Sequence, residues 1–248
     1  MSIQFKAALT DIFKTEKKWM TVLGLSVSIL IPVVGPMVSF GYLLRRFTRE
    51  REGRAIEDFD FNHFSEYLKI GLWPTLAMLA MSALIIPIVV LFSIAPAVMI
   101  PLAESGNETA MVIIGIVGFL LYLASLAAFT VLSYPVMLRS GLTMDFKSGF
   151  SWTFMKSFAA KVGLSLIGYF ILLTIVSIPF VLLGYLALFI GVYVVAAWMQ
   201  MALIHLVYQH YDLMVERGGE RIEVNPEVTK NFGKPPLPTT PAEEITPS

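Results

Sequence analysis

Four stretches of the chain carry no Asp, Glu, Lys or Arg: residues 19–44, 70–103, 109–138 and 162–211. Every charge falls between or outside them. A helix that crosses a bilayer needs about 20 apolar residues, each advancing it about 1.5 Å. The second and third stretches are each long enough for one tilted span. The fourth, 50 residues long, is long enough for two, joined as a hairpin with its turn near Pro179 and Gly184. Residues 70–103 are punctuated by Pro74, Pro87, Pro96 and Pro101, and read as discontinuous helix.

Residues 19–44 pose a separate question. Lys17 and Lys18 precede them, Arg45, Arg46 and Arg49 follow, and Pro32 and Pro36 sit near the middle. Basic residues concentrate on the cytoplasmic side of membrane proteins. A re-entrant hairpin turning between the two prolines keeps both clusters on that side. Twenty-six residues are too few for two full spans and enough for two half-depth helices. A single proline-kinked span, with the N-terminus outside, is the other reading.

The polar segments have patterns of their own. Ile3, Phe5, Leu9, Ile12 and Phe13 fall near one face of a short helix over residues 3–13, with Lys6, Asp11 and Lys14 elsewhere. Such a segment suits the headgroup plane. Phe61, Phe64, Tyr67 and Leu68 repeat at helical spacing, and Phe146, Phe150, Trp152, Phe154 and Phe158 do so among Lys147 and Lys156. Both read as further interfacial helices. From about Gly218 the chain is polar and proline-rich and reads as extended or disordered. A weak internal repeat links Ile31-Pro32, Ile86-Pro87 and Ile178-Pro179, with Gly41-Tyr42 and Gly184-Tyr185 following two of them.

The expected fold is therefore an all-α integral membrane bundle. It has four full spans plus a short N-terminal re-entrant hairpin, six membrane helices in all, with interfacial amphipathic helices. Residues 1–18 form the first interfacial segment, 19–211 the polytopic membrane domain and 212–248 a polar tail. Both termini are expected in the cytoplasm, at the plasma (inner) membrane of a prokaryote.

Composition agrees and narrows the function classes. Charged residues make up 15% of the chain, against about a quarter in soluble domains. A formal net charge of zero gives no basic surplus for nucleic acid. There is no cysteine, so neither a disulfide nor a thiolate metal site can form. Three histidines, His63, His205 and His210, offer no metal-ligand spacing. The serines of the apolar tracts read as small packing residues, without a base at a fixed spacing. No catalytic, cofactor or metal site is expected.

Two polar groups are the candidates for contact. Arg45, Arg46 and Arg49 suit lipid phosphates or an acidic partner, although Glu50, Glu52, Glu57 and Asp58 lie close in sequence and offer internal ion pairs. His205 and Gln209, four apart in the last apolar tract, share a helical face and suit either a polar cavity or hydrogen bonds to a neighbouring helix. Small residues four apart, Gly24/Ser28, Gly35/Ser39, Ala124/Ala128 and Ala187/Gly191, allow close helix approach.

Ile31-Pro32-Val33-Val34-Gly35, Gly41-Tyr42, Arg45-Arg46, Asp58-Phe59-Asp60-Phe61 and Gly71 resemble the prokaryotic membrane family catalogued as domain of unknown function 4013. Asp145-Phe146 before an apolar hairpin continues the likeness in outline. The resemblance implies a multi-helix prokaryotic membrane protein and brings no activity. The expected role is a non-enzymatic scaffold or accessory subunit, contacting membrane lipids and a membrane-protein partner or a second copy. The alternative is a transporter or lipid-handling protein for an uncharged or lipidic substrate.

Overall fold

The computed structural model describes residues 2–14, 16–104, 108–187 and 190–232. Among these residues all regular structure is helical. In chain order the helices are α1 (Phe5–Thr10), α2 (Lys18–Ile29), α3 (Val34–Arg51), α4 (Phe64–Glu104), α5 (Glu108–Thr143), α6 (Phe146–Gly149), α7 (Trp152–Phe158), α8 (Leu164–Leu186), α9 (Ile190–Glu216) and α10 (Pro226–Thr229). Among the described residues four segments are long and apolar enough to cross a membrane: Phe61–Leu84, Glu108–Thr143, Trp152–Leu186 and Ile190–Glu216.

The apolar tract 19–44 folds as helix, turn, helix. A γ-turn centred on Val33 joins α2 to α3: its φ is 68°, and the Val34 N–H donates to the Pro32 carbonyl at 2.7 Å. This positive-φ γ-turn is the rare and strained kind. A β-branched residue there is a true outlier. The neighbouring packing tolerates no side chain at Gly35, where a Cβ would fall 1.9 Å from the Ser28 carbonyl oxygen. The two ends of the tract meet the same surroundings. Lys14 Nζ lies 3.7 Å from Glu50, and the Lys17 N–H donates to Asp58.

A second close approach fixes α3 on α4. A Cβ at Gly41 would lie 1.8 Å from the Tyr67 carbonyl oxygen, and one at Gly71 would lie 1.7 Å from that of Met37. Beyond this crossing, α4 pairs with α5 and α8 with α9. The two hairpins are joined where Val131 of α5 packs beside Gly163, at the π-type turn that links α7 to α8.

Several expectations are corrected. The four prolines do not break the helix after residue 70: α4 runs through Pro74, Pro87, Pro96 and Pro101. Proline removes one N–H bond, but an apolar setting offers no water to compete for the carbonyls left over. The hairpin in residues 162–211 turns after Leu186, because α8 passes straight through Pro179. Gly184 and Gly191 instead bring the two helix ends together beside that turn, with a Cβ at Gly184 only 2.8 Å from the Gly191 backbone. Pro32 lies in a turn while Pro87 and Pro179 lie inside helices, so the three Ile-Pro pairs are not structurally equivalent.

The segment read as a second interfacial helix is the start of α4, with Tyr67 fully buried. In the third, Phe154 and Phe158 are buried in protein while Trp152 is exposed. The tail also starts later than expected. Helix α9 continues to Glu216, and residues 218–232 fold back across the bundle end, burying Ile222 and Val228. The remainder of the expected tail, and residues 105–107 of the turn between α4 and α5, lie outside the described residues.

Candidate functional site

Charge gathers at one end of the bundle, around α3. Arg45 and Arg46, although adjacent, point to different partners, and both are fully buried. Arg45 grips Glu57 with two hydrogen bonds, at 2.7 and 3.1 Å. Its third contact donates to the Val228 carbonyl at 3.2 Å. The Phe232 ring lies 3.5 Å from the guanidinium carbon, a cation–π contact made stronger by exclusion of water. Arg46 bonds Asp11 at 2.7 Å, side chain to side chain, with both groups at 0% exposure. It also donates to the Asp11 carbonyl at 3.1 Å. Arg49 reaches the Thr229 carbonyl and Asn231 Oδ1, both at 2.9 Å, and Arg54 reaches the same Thr229 carbonyl at 2.6 Å.

The arginines thus clasp three separate pieces of chain: the turn after α1, the loop before α4 and the returning C-terminal strap. Arg45 and Arg46 have no surface left for a lipid phosphate, and Arg49 is mostly covered. Burying charge is tolerable only when it is paired and hydrogen-bonded. Glu50, on the same helix, meets Lys14 at 3.7 Å, its one ion-pair partner among the described residues. Burial first, and then the nearby Asp11 charge, pushes its carboxyl above the usual carboxylate range.

His205 and Gln209 also serve the N-terminal segment. The Gln4 N–H donates to Gln209 Oε1 at 2.6 Å, and Gln209 Nε2 donates back to the Gln4 carbonyl at 3.3 Å. His205 packs on the Phe47 ring and faces Asp11 at 3.7 Å. Trp198 Nε1 donates to the Leu9 carbonyl at 2.8 Å, and Phe5 stacks on Tyr169. So α1 lies along α9, with Ala8 and Ile12 buried.

Sequence reasoning missed Asp11, which it placed off the apolar face. The signal was available only as a balance: Arg46 needed a carboxylate, and local sequence offered several. It also missed the contact of Ser165 Oγ with His210 Nε2, at 3.2 Å. His210 is buried, and its Nδ1 faces the Leu206 carbonyl of its own helix at 2.7 Å, so the contact ties α8 to α9. Among the described residues no three His, Asp or Glu side chains converge to hold a metal ion.

A different kind of site lies between the hairpins. Phe40 of α3, Met78 of α4, Tyr134 of α5, Thr174 and Ser177 of α8 and Gln200 of α9 line a mostly apolar cleft of about 270 Å³. Ser177 and Thr174 hydroxyls bond carbonyls of their own helix. Gln200 and Tyr134, both half-buried, line the same cleft, and no hydrogen-bond partner of either side chain stands among the described residues.

The model of one family matches residues 24–192, described as protein of unknown function DUF4013. The chain belongs to that family. The matched region begins inside α2 and ends just inside α9, so it takes in the γ-turn, the α3–α4 crossing, the α4–α5 hairpin and α8, and leaves most of α9 outside. It excludes Asp11 and the C-terminal strap, the two outer pieces that the DUF4013 arginines hold. No curated protein and no solved structure matches the chain.

Proposed function

We propose that the protein is a non-enzymatic scaffold or accessory subunit of a membrane complex, held in the plasma (inner) membrane of a prokaryote. The observation that carries this reading is the surface of α5. Val112, Ile113, Ile114, Ile116, Val117, Phe119, Leu120, Leu121 and Leu123 are all exposed, so several faces of one helix lack a neighbour among the described residues. At 36 residues, or about 54 Å, α5 also exceeds a hydrocarbon core of about 30 Å. Ala124 and Ala128 are exposed one turn apart on it, a small-residue seam against which a transmembrane helix of another polypeptide can pack closely.

The topology belongs to the same proposal. Four helices span, and α2 and α3 enter and leave from the cytoplasmic side. With 12 residues, α2 reaches only about 18 Å. Both ends of the hairpin lie with the charged end of the bundle, where Arg139 pairs with Glu220 and Arg51 with Asp212. The basic surplus of the loops at that end supports a cytoplasmic assignment for both termini.

Native mass spectrometry of the protein, extracted gently from its own membrane, tests the role. A stoichiometric, reproducible protein partner is the expected result. The protein found always alone, or only as copies of itself, contradicts it. The cleft between the hairpins supports a second reading, a transporter or lipid-handling protein for an uncharged or lipidic substrate.

A further inference from the structure

The cleft lies at mid-helix. Thr174 is 10 residues from the start of α8 and 12 from its end, and Gln200 is 10 residues from the start of α9. Its lining is almost wholly carbon: Phe40, Met78, Phe170, Leu173, Leu203 and Ile204. Among the described residues no charged side chain lines it. Thr174 is exposed, so the cleft opens on the flank of the bundle. In hydrocarbon an unbonded amide is costly, because no water replaces the missing partner. Polar groups screened from water ordinarily find one, and Gln200 and Tyr134 are both half-buried. Gln200 offers two donors and an acceptor, and Tyr134 offers one donor and an acceptor. Two such groups left free around one apolar cavity mark the place of an absent molecule with matching groups.

We propose that this cleft binds one uncharged lipid whose polar end carries hydroxyl and carbonyl oxygens, as a diacylglycerol does. The carbonyl accepts from the Gln200 amide, the hydroxyl bonds Gln200 Oε1 or the Tyr134 hydroxyl, and a chain lies along Phe170, Leu173 and Leu203. A phosphate-bearing lipid fits less well, since no cation stands in the lining among the described residues and burying that charge unpaired is far costlier than burying a neutral head. The volume falls just below the roughly 300–1,000 Å³ of small-molecule sites, room for the polar end and part of one chain, with the rest of the lipid lying in the bilayer at the open flank. This inference rests on the lipid-handling reading and is independent of any protein partner on α5.

The test uses the full chain in vesicles, with two photoactivatable probes that share one diazirine acyl chain: a diacylglycerol and a phosphatidylglycerol. Adducts are mapped by peptide mass spectrometry. Both probes are expected to mark the exposed residues 112–123 of α5 alike, which serves as the reference. At residues 173–177 and 199–204 the diacylglycerol is expected to exceed the phosphatidylglycerol several-fold. Gln200→Leu should lower that yield about fivefold, as loss of one hydrogen bond in an apolar medium does. Ser177→Trp, which fills the cleft, should abolish it while leaving the α5 adducts unchanged. Equal labelling of the cleft by both probes, or labelling indifferent to Gln200→Leu and Ser177→Trp, would overturn the proposed ligand while leaving a lipid-accessible groove. No cleft adducts from either probe would overturn the lipid-handling reading with it.

Discussion

Asp11 and Arg46 are 35 residues apart in sequence and share one hydrogen-bonded contact at 2.7 Å, both sealed from solvent. Such a pair gives modest net stability, because desolvating two charges offsets most of their attraction. Removing one partner is another matter, since it strands the other charge in protein. That typically costs about 3–5 kcal/mol. Asp11→Asn is therefore expected to destabilise the protein by about that much in detergent denaturation curves, and to loosen α1 from α9. Asp11→Asn combined with Arg46→Met should recover a large part of the loss. If Asp11→Asn melts like the parent, Arg46 is not held as described. The reading of residues 3–13 put Ile12 and Phe13 on one apolar face, and of these Ile12 is buried while Phe13 is exposed. It could not find the burial of Asp11, because the partner that makes burial tolerable comes from another helix. For the same reason the arginine group was legible as a cluster of charge, while the choice between lipid phosphate and internal partners was not.

At the scale of elements, the charge-free tracts located the long helices well. Exclusion of charge depends on being out of water, whatever the neighbour. Helix ends were less legible. Proline was read as a stop at residues 74, 87, 96, 101 and 179, yet each lies inside a helix. The cost of a proline depends on what competes for the freed carbonyl, and a sequence does not display that. The turn that forms in residues 19–44 centres on Val33, and the close approach of Gly35 to Ser28 beside it leaves no room for a side chain. The C-terminal strap is the other element that composition hid. Two buried aliphatic side chains, Ile222 and Val228, anchor a polar segment, each contributing about 1.5–3 kcal/mol. Arg45, Arg49 and Arg54 bond its carbonyls. Ending the chain after Gly219 should lower the melting temperature sharply and leave Arg45 facing water. Ending it after Phe232 should leave the melting temperature unchanged, which separates the strap from the residues beyond it. Equal melting of the two truncated forms would contradict a structural role for the strap.

The whole molecule divides by polarity along its long axis. One end is a charged clasp in which α3 gathers the N-terminal turn, the loop before α4 and the strap. From it two apolar hairpins extend, α4 with α5 and α8 with α9, and the cleft opens between them. The matched family region covers α3, the α4–α5 hairpin and α8, but neither outer piece and only the first residues of α9. A DUF4013 bundle clasped by its own termini is a reasonable platform for a partner helix on α5, for a neutral lipid in the cleft, or for both. Each of these depends on which side of the membrane the clasp faces and on α2 and α3 returning to the side they left. The chain has no cysteine, so single introduced cysteines report cleanly. Ser2→Cys and Asn107→Cys, probed in sealed vesicles with a membrane-impermeant thiol reagent, decide the matter. The account predicts that the two positions react from opposite sides. Reaction from the same side would contradict the re-entrant hairpin and leave residues 19–44 as a fifth span.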